Sequence, residues 1–320
     1  HSRKQMNNPK FSIIISTFNR VKLLKIAIES VIGQSFSDWE LIIVNDCSTD
    51  STKEFLDSLS NLKITVIHNE TNLHKGATRN VGIENCNGEF ICFLDDDDYY
   101  LENHLETFHD FHKKNNSFEG MIFTLCYQLN EDTKNKTQKR LPDIKENKIA
   151  YLFDSGNGVP TPLVCINKSI LDIEKFNPNI KIGQDTELFL RIVNDYELHK
   201  INKYTVVQLT HNNNSGNIKY NHGKDRLAGY KYIFSNKKIA KNIPRKLKNY
   251  MYSFCYRRMA DYYNYHGYRM KTIQSAGMAL YHDPISVHSK INIVYIFYNI
   301  PVLGNFFSVL IKKMKNEKKH

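Results

Sequence analysis

The chain predicts an α/β fold, a doubly wound, mostly parallel sheet with helices on both faces. Two features lead there. Through residues 11–94, short apolar, β-branched runs alternate with stretches of helical spacing, the order that a parallel sheet needs for its crossovers. The fourth run, Phe90 to Leu94, has the length and character of a buried strand, and it passes directly into Asp95-Asp96-Asp97-Asp98.

Phe11 to Ser16 reads as the first strand, ending in Thr17-Phe18-Asn19-Arg20. Leu23 to Ile32 follows with apolar residues at 24, 27, 28, 31 and 32, one face of a helix. Glu40 to Val44 is the second strand; Ser48 or Asp50 is placed to cap the helix after it, which runs to about Leu59. Ile64 to His68 is the third strand, Asn72 to Gly76 a loop, and Ala77 to Asn85 a helix. The polar ends of strands one, two and four are expected to converge on one sheet edge. Beyond Tyr100 the pattern gives a helix to about Lys114, a strand over Gly120 to Leu129, a polar surface loop over Asn130 to Lys148, and a Gly/Pro-rich turn over Gly156 to Pro162. A short strand over Leu163 to Asn167, a helix around Leu188 and Ile192, and a strand over Tyr204 to Leu209 follow.

Four adjacent carboxylates repel one another and need water, lysines or a cation to offset them. Ligands of open α/β sheets bind at the carboxyl ends of the strands, where this run falls. Hard oxygen donors suit Mg²⁺ or Mn²⁺, particularly an ion that also bridges phosphates. A solvated acidic turn is the plainer alternative. A calcium loop fits poorly: Asp95, Asp97 and Glu106 take its first, third and twelfth positions, but Tyr99 and Tyr100 stand where a ligand and a turn glycine belong.

The 320 residues, 41% hydrophobic and 12% aromatic, can bury one large core beside a smaller unit. The six cysteines show no CxxC and no zinc spacing, and read as free thiols of a reducing compartment. No apolar signal segment follows the polar start, so a cleaved secretory leader is not expected. Charge is divided unevenly. Residues 1–220 carry 25 basic against 29 acidic side chains, and residues 221–320 carry 19 against 4. From about Gly223 Lys, Arg and Tyr recur on helical spacing, and Ile293 to Ile311 is a 19-residue, mostly apolar run followed by Lys312, Lys313, Lys315, Lys318 and Lys319. Pro301 in its middle favours two short interfacial segments over one spanning helix, with the lysines drawn to an anionic surface; a helix pair packed on the protein itself is the alternative.

In these motifs the chain resembles the inverting family 2 glycosyltransferases of the GT-A fold, the bacterial polysaccharide-building enzymes, over roughly residues 10–215. SIIISTFNR is similar to the family's first strand and nucleotide-facing loop. VNDCSTDST is similar to Val-x-Asp-Asp-Gly-Ser-x-Asp-x-Thr, with Asn45 for the first Asp and Cys47 for Gly. NLHKGATRNVGIENCNGEFICFLDDDDYY resembles the Asn-x-Gly-x-x-x-Ala-Arg-Asn stretch and the metal strand, with Ala77 directly after Gly76 and Thr78 before Arg79. GQDTELFLRI resembles the acceptor-side Glu-Asp motif with Gln184 for Glu.

The resemblance implies a GT-A body, Rossmann-like, over residues 10–218; beyond it, charge and helical spacing read as a basic helical region over 219–289 and the apolar, polybasic run as a membrane-associating tail over 290–320. The resemblance also implies an inverting, metal-dependent transfer of a sugar from a nucleotide-sugar donor, a UDP-sugar, to a hydroxyl of a saccharide or lipid-linked acceptor. By resemblance Asp46 accepts from the uracil imide, Thr17 and Asn19 hold the nucleoside, and Arg79 lies near the nucleotide. Asp95 contacts the ribose or the ion's water shell with Asp96 beside it, Asp97 ligates Mn²⁺ or Mg²⁺, and Asp185 is the general base. His211 matches weakly a histidine that is sometimes a metal ligand. From the residues alone, Asp185 reads equally as a helix N-terminal acid and His211 as a hydrogen-bonded loop residue. The expected location is cytoplasmic, peripheral on the inner face of the membrane. A sugar nucleotidyltransferase needs a glycine-rich phosphate loop that Ser16 to Arg20 lacks. An inert membrane or polyanion adaptor fits poorly with the retained Asp46, Asp97 and Asp185. Specific nucleic-acid binding has no signature here.

Overall fold

The computed structural model describes residues 8–139, 141, 143–144, 147–154, 158–210, 221–285 and 289–299. The first four strands and their crossovers follow the expected order: β1 (Phe11–Thr17), α1 (Val21–Ile32), β2 (Trp39–Asn45), α2 (Thr52–Asp57), β3 (Ile64–His68), α3 (His74–Glu84) and β4 (Phe90–Asp95). β3, β2, β1 and β4 lie side by side and parallel. Helices cover both faces of such a sheet, so β1 and the apolar part of β4 are buried along their whole length and read as unbroken apolar runs. α1 buries Leu24, Ala27, Ile28 and Val31. α3 approaches β1 closely: a Cβ added at Gly82 would lie 2.5 Å from Ile14 Cγ2, which excludes any larger residue without movement. α3 begins at His74, three residues ahead of the expected start, because Asn72 caps the turn by accepting from the His74 N–H at 3.1 Å.

The acidic run is not one loop. Asp95 is the last residue of β4, Asp96 and Asp97 form a turn, and Asp98 opens β5 (Asp98–Tyr100). β5 pairs antiparallel with β9 (Glu197–Thr210), Asp98 opposite Gln208. Asp96 and Asp98 are buried, where backbone pairing and polar neighbours receive them. α4 (His104–Lys114) and β6 (Gly120–Asn130) follow. The expected surface loop over 130–148 contains a strand, β7 (Lys136–Lys139), folded back on β6, and it gives way to α5 (Lys148–Asp154). β8 (Val164–Asn167), α6 (Lys168–Ile173), α7 (Gln184–Asp195) and β9 complete the body, and the sheet order is β3-β2-β1-β4-β8-β6-β9-β5 with β7 beside β6. β9 is longer than the expected 204–209 because its first residues pair with β6 from Gly120↔Glu197 onward. The six cysteines are all unpaired.

The chain divides into two compact units, residues 1–211 and 212–320. The described part of the second is helical: α8 (His222–Ser235), α9 (Lys237–Ala240), α10 (Arg245–Tyr265), α11 (Arg269–His282) and α12 (Ser289–Asn299). Its cations lie on aromatic faces. Arg226 and Arg257 sit 5.7 and 5.4 Å from the Phe254 ring centre, and Lys271 lies over Tyr263 and Tyr268. α12 takes up the start of the apolar run and packs within this unit, where Tyr295 Oη donates to Asp261 at 2.8 Å. Ile293 and Phe297, one turn apart, remain exposed. The run from 300 onward, with Pro301 and the terminal lysines, lies outside the described residues, as does His211. No described helix is long and apolar enough to cross a membrane.

Candidate active site

Strand register sets the site. Ser16 lies opposite Asp95 and Thr17 opposite Asn45, so the loops after β1, β2 and β4 leave the sheet at one level. They open on a cleft of about 240 Å³ lined by Thr17, Phe18, Arg20, Asp46, Lys75 and Asp96, with Ser16, Asn72, His74 and Thr78 completing it.

Asp46 is buried at one end. Its backbone N–H donates to Thr17 O at 2.9 Å, and its Oδ1 accepts from the Leu73 N–H at 2.8 Å and from Asn69 Nδ2 at 2.9 Å. Those bonds hold one carboxylate oxygen within the protein. Thr17 Oγ1 donates to Asp96 Oδ2 at 2.9 Å. Asn19 stands at φ 55°, and its Oδ1 accepts from the Thr49 N–H at 2.7 Å and the Asp50 N–H at 3.3 Å. Its side chain ties the β1 loop to the β2 loop and does not line the cleft. Cys47 stands at φ 63° and His74 at φ 64°. The first of these positions corresponds to a glycine in the motif quoted above. The chain keeps the left-handed backbone without the residue that adopts it most readily.

Of the four aspartates of the acidic run Asp96 lines the cleft, and the four have separate surroundings. Asp95 Oδ1 meets Arg79 at 2.6 Å and Lys75 at 3.0 Å. Burial opposes its charge, but the two cations outweigh burial and hold this carboxyl well below the usual range. Arg79 is itself buried against the Phe176 ring and stays off the cleft surface, so it acts on Asp95. Asp96 is raised, first by burial, against which the Arg20 guanidinium at 3.1 Å works. Arg20 also reaches Asp97 at 2.7 Å. Asp98 has no cation partner among the described residues. It accepts from the Leu209 N–H at 3.1 Å, and burial together with the nearby Asp95 and Asp97 raises it well above its ordinary value.

One carboxylate oxygen each from Asp95, Asp97 and Asp98 lies within 4.8 Å of the others. The set is oxygen only, and one member is buried without a countercharge, so the residues present fit a hard divalent cation. Asp98, Lys75 and Arg20 were not among the residues expected here. Alternation through Asp98-Tyr99-Tyr100 is the signal for a short strand with Asp98 facing inward, and the i, i+4 spacing of Lys75 and Arg79 is the signal for two cations on one helix face.

Asp185 and Glu187 share the first turn of α7, behind Gly183 at φ 86°. Glu187 is buried and meets Arg191 through both oxygens, at 2.7 and 3.0 Å, while Arg191 also bonds Glu174 and Lys175 O. Asp185 is half-buried; its Oδ1 accepts from the Thr186 N–H at 2.8 Å, and no described cation pairs with it. α7 starts beside α3: a Cβ added at Gly76 would lie 3.4 Å from the Gln184 side chain. Asp185 therefore follows directly on a residue that packs against the helix carrying Lys75 and Arg79.

The family model described as Glycosyl transferase family 2 matches residues 12–171. WcaA of Escherichia coli K12, which carries the name of a colanic acid biosynthesis glycosyl transferase, is 33% identical over 245 residues, 72% of this chain and 82% of its own. The GalNAc(5)-diNAcBac-PP-undecaprenol beta-1,3-glucosyltransferase of Campylobacter jejuni is 30% identical over 60% of this chain and 63% of its own. Among solved structures, TarS of S. aureus, residues 1–349 in complex with UDP-GlcNAc, is similar with a TM-score of 0.61 at 18% identity, covering 96% of this chain and 92% of that one. The α/β body is thus a GT-A fold, and the chain belongs to the family 2 glycosyltransferases.

Proposed function

We propose that this glycosyltransferase moves a sugar from a UDP-sugar to a hydroxyl of a saccharide or lipid-linked saccharide, with inversion at the anomeric carbon. The observation that carries this reading is a cleft lined by a buried acceptor, Asp46, and by Lys75 and Arg20, whose ion pairs to Asp95 and Asp97 join it to the oxygen-only trio Asp95, Asp97 and Asp98. Asp46 matches the edge of a base that donates hydrogen bonds, and the trio matches a diphosphate carrying a cation. These three carboxylates would hold Mn²⁺ or Mg²⁺, which when bound would offset the charge of the departing diphosphate. The protein's own groups do the rest. Asp46 fixes the base, Thr17 and Asp96 shape the floor, and Lys75 and Arg20 bring positive charge to the phosphate side.

Inversion requires one displacement. Asp185 takes the proton from the acceptor hydroxyl, the acceptor oxygen bonds to the anomeric carbon, and the bond from that carbon to the diphosphate breaks with its electron pair leaving on the phosphate oxygen. No second, nucleophilic carboxylate is needed. Support for a polysaccharide or lipid-linked acceptor comes from the relatives named above. Attachment to an anionic membrane surface follows from the excess of basic residues in 221–320 and from the apolar run that begins in α12.

The test is transfer from a panel of nucleotide sugars with Mn²⁺, with the product anomer read by NMR. Asp97→Ala is expected to lose activity on the order of a thousand-fold with the fold intact. Asp185→Asn is expected to bind donor normally and to lose about 10²–10⁴-fold in turnover. A product of retained configuration, or full turnover by either variant, overturns the mechanism.

A further inference from the structure

Phe18 and His74 reach the cleft from different loops, one after β1 and one at the start of α3. Both are exposed, and neither ring stacks on another among the described residues. Elsewhere in this protein histidine rings are stacked, as His104 is on Tyr100 and His112 is on Phe90. His74 also occupies a position where the backbone, at φ 64°, favours glycine. An imidazole there is tolerated because its surroundings fix the turn: the His74 N–H donates to Asn72 Oδ1, and the preceding Leu73 N–H donates to Asp46. His74 is therefore bonded into the Asp46 end of the cleft, whereas the next residue, Lys75, extends to Asp95 at the carboxylate end.

We propose that His74 is a wall of the base slot: the flat base of the donor nucleotide stacks on its imidazole, with its polar edge toward Asp46 and Phe18 offering a second ring. An exposed, unstacked ring that lines a nucleotide-sized cleft from a left-handed backbone position is suited to contact with a planar ligand. The inference rests on the cleft being the donor site.

The experiment is calorimetric titration of the full chain with UDP·Mn²⁺ and, separately, with pyrophosphate·Mn²⁺. His74→Asn deletes the ring while accepting a left-handed backbone, and His74→Phe keeps a ring. Loss of one stacked base is expected to raise the Kd for UDP about ten-fold in His74→Asn and to leave pyrophosphate within about two-fold, while His74→Phe stays within about three-fold of the parent for both. Unchanged UDP affinity in His74→Asn overturns the stacking wall, and so does equal weakening of UDP and pyrophosphate, which would place the imidazole on the phosphates. Failure of the parent protein to bind UDP is a different result: it removes the donor-site reading and the inference with it.

Discussion

Residues 95–98 and residues 185–187 both crowd carboxylates into a few positions, and they dispose of the charge differently. In α7 Arg191 grips Glu187 and Glu174, and Asp185 has no cation partner among the described residues. In the strand-end cluster, Lys75 and Arg79 hold Asp95, Arg20 is shared by Asp96 and Asp97, and Asp98 is buried with no cation partner among the described residues. The residue type is the same or nearly so. A cation partner does not by itself mark a structural acid, since Asp95 and Asp97 have one and Asp98 and Asp185 have none among the described residues; the comparison is tested by removing charge on either side.

The largest effect on stability is expected in α7. Arg191→Met leaves Glu187 buried and unpaired, which costs about 3–5 kcal/mol. Adding Glu187→Gln to that variant is expected to return most of the loss, measured by urea unfolding as a double-mutant cycle. If the two substitutions are merely additive, the pair is not the clamp that positions the start of α7.

How far these roles could be read in the sequence follows from the range of the interactions. The four parallel strands were legible because burial on both faces writes them as apolar runs, and their carboxyl ends were legible as polar loops. β5 and β7 were not. Three residues, Asp98 to Tyr100, form a strand only because β9, more than a hundred residues later, offers its backbone to them. β7 is polar throughout, Lys136-Thr137-Gln138-Lys139, and depends on folding back against β6. Likewise the acidic run was legible as a cluster, but the separate fates of Asp95, Asp96 and Asp97 depend on Arg20, Lys75 and Arg79, which arrive from other elements, and that of Asp98 on its pairing with β9. Asn19 shows the converse. Its motif marks the nucleotide loop, while its side chain is used to bind the neighbouring loop.

A smaller effect, with a definite sign, is expected at Asp98. An acid whose folded pKa is raised takes up a proton on folding at any pH between its unfolded value, about 4, and its folded one. Stability is therefore lost as pH rises through that window. Asp98→Asn, which keeps an oxygen for the Leu209 N–H, is expected to melt above the parent at pH 7.5 in EDTA, and the advantage should fade as pH is lowered toward 4. Asp95 runs the other way: its depressed value contributes stability above the unfolded pKa that is lost as pH falls through the folded one. With Mn²⁺ present, the parent should gain in melting temperature and Asp98→Asn should gain less. An Asn variant that is less stable than the parent in EDTA at pH 7.5 would mean that Asp98 has a countercharge after all.

The smallest change is expected at Asp185, and its smallness is the informative part. Asn at this position retains an oxygen for the Thr186 N–H and breaks no ion pair. What it loses is a negative charge in the first turn of a 12-residue helix, a favourable interaction with the helix dipole of about 0.3–1 kcal/mol. The urea midpoint should shift by no more than that at unchanged slope, while transfer falls by orders of magnitude. A carboxylate that the fold hardly needs, next to one that it cannot spare, is what a base requires, because it must gain and lose a proton without disturbing the helix that holds it. A loss of several kcal/mol in Asp185→Asn would assign this acid to the scaffold beside Glu187 and leave the deprotonation of the acceptor to another group.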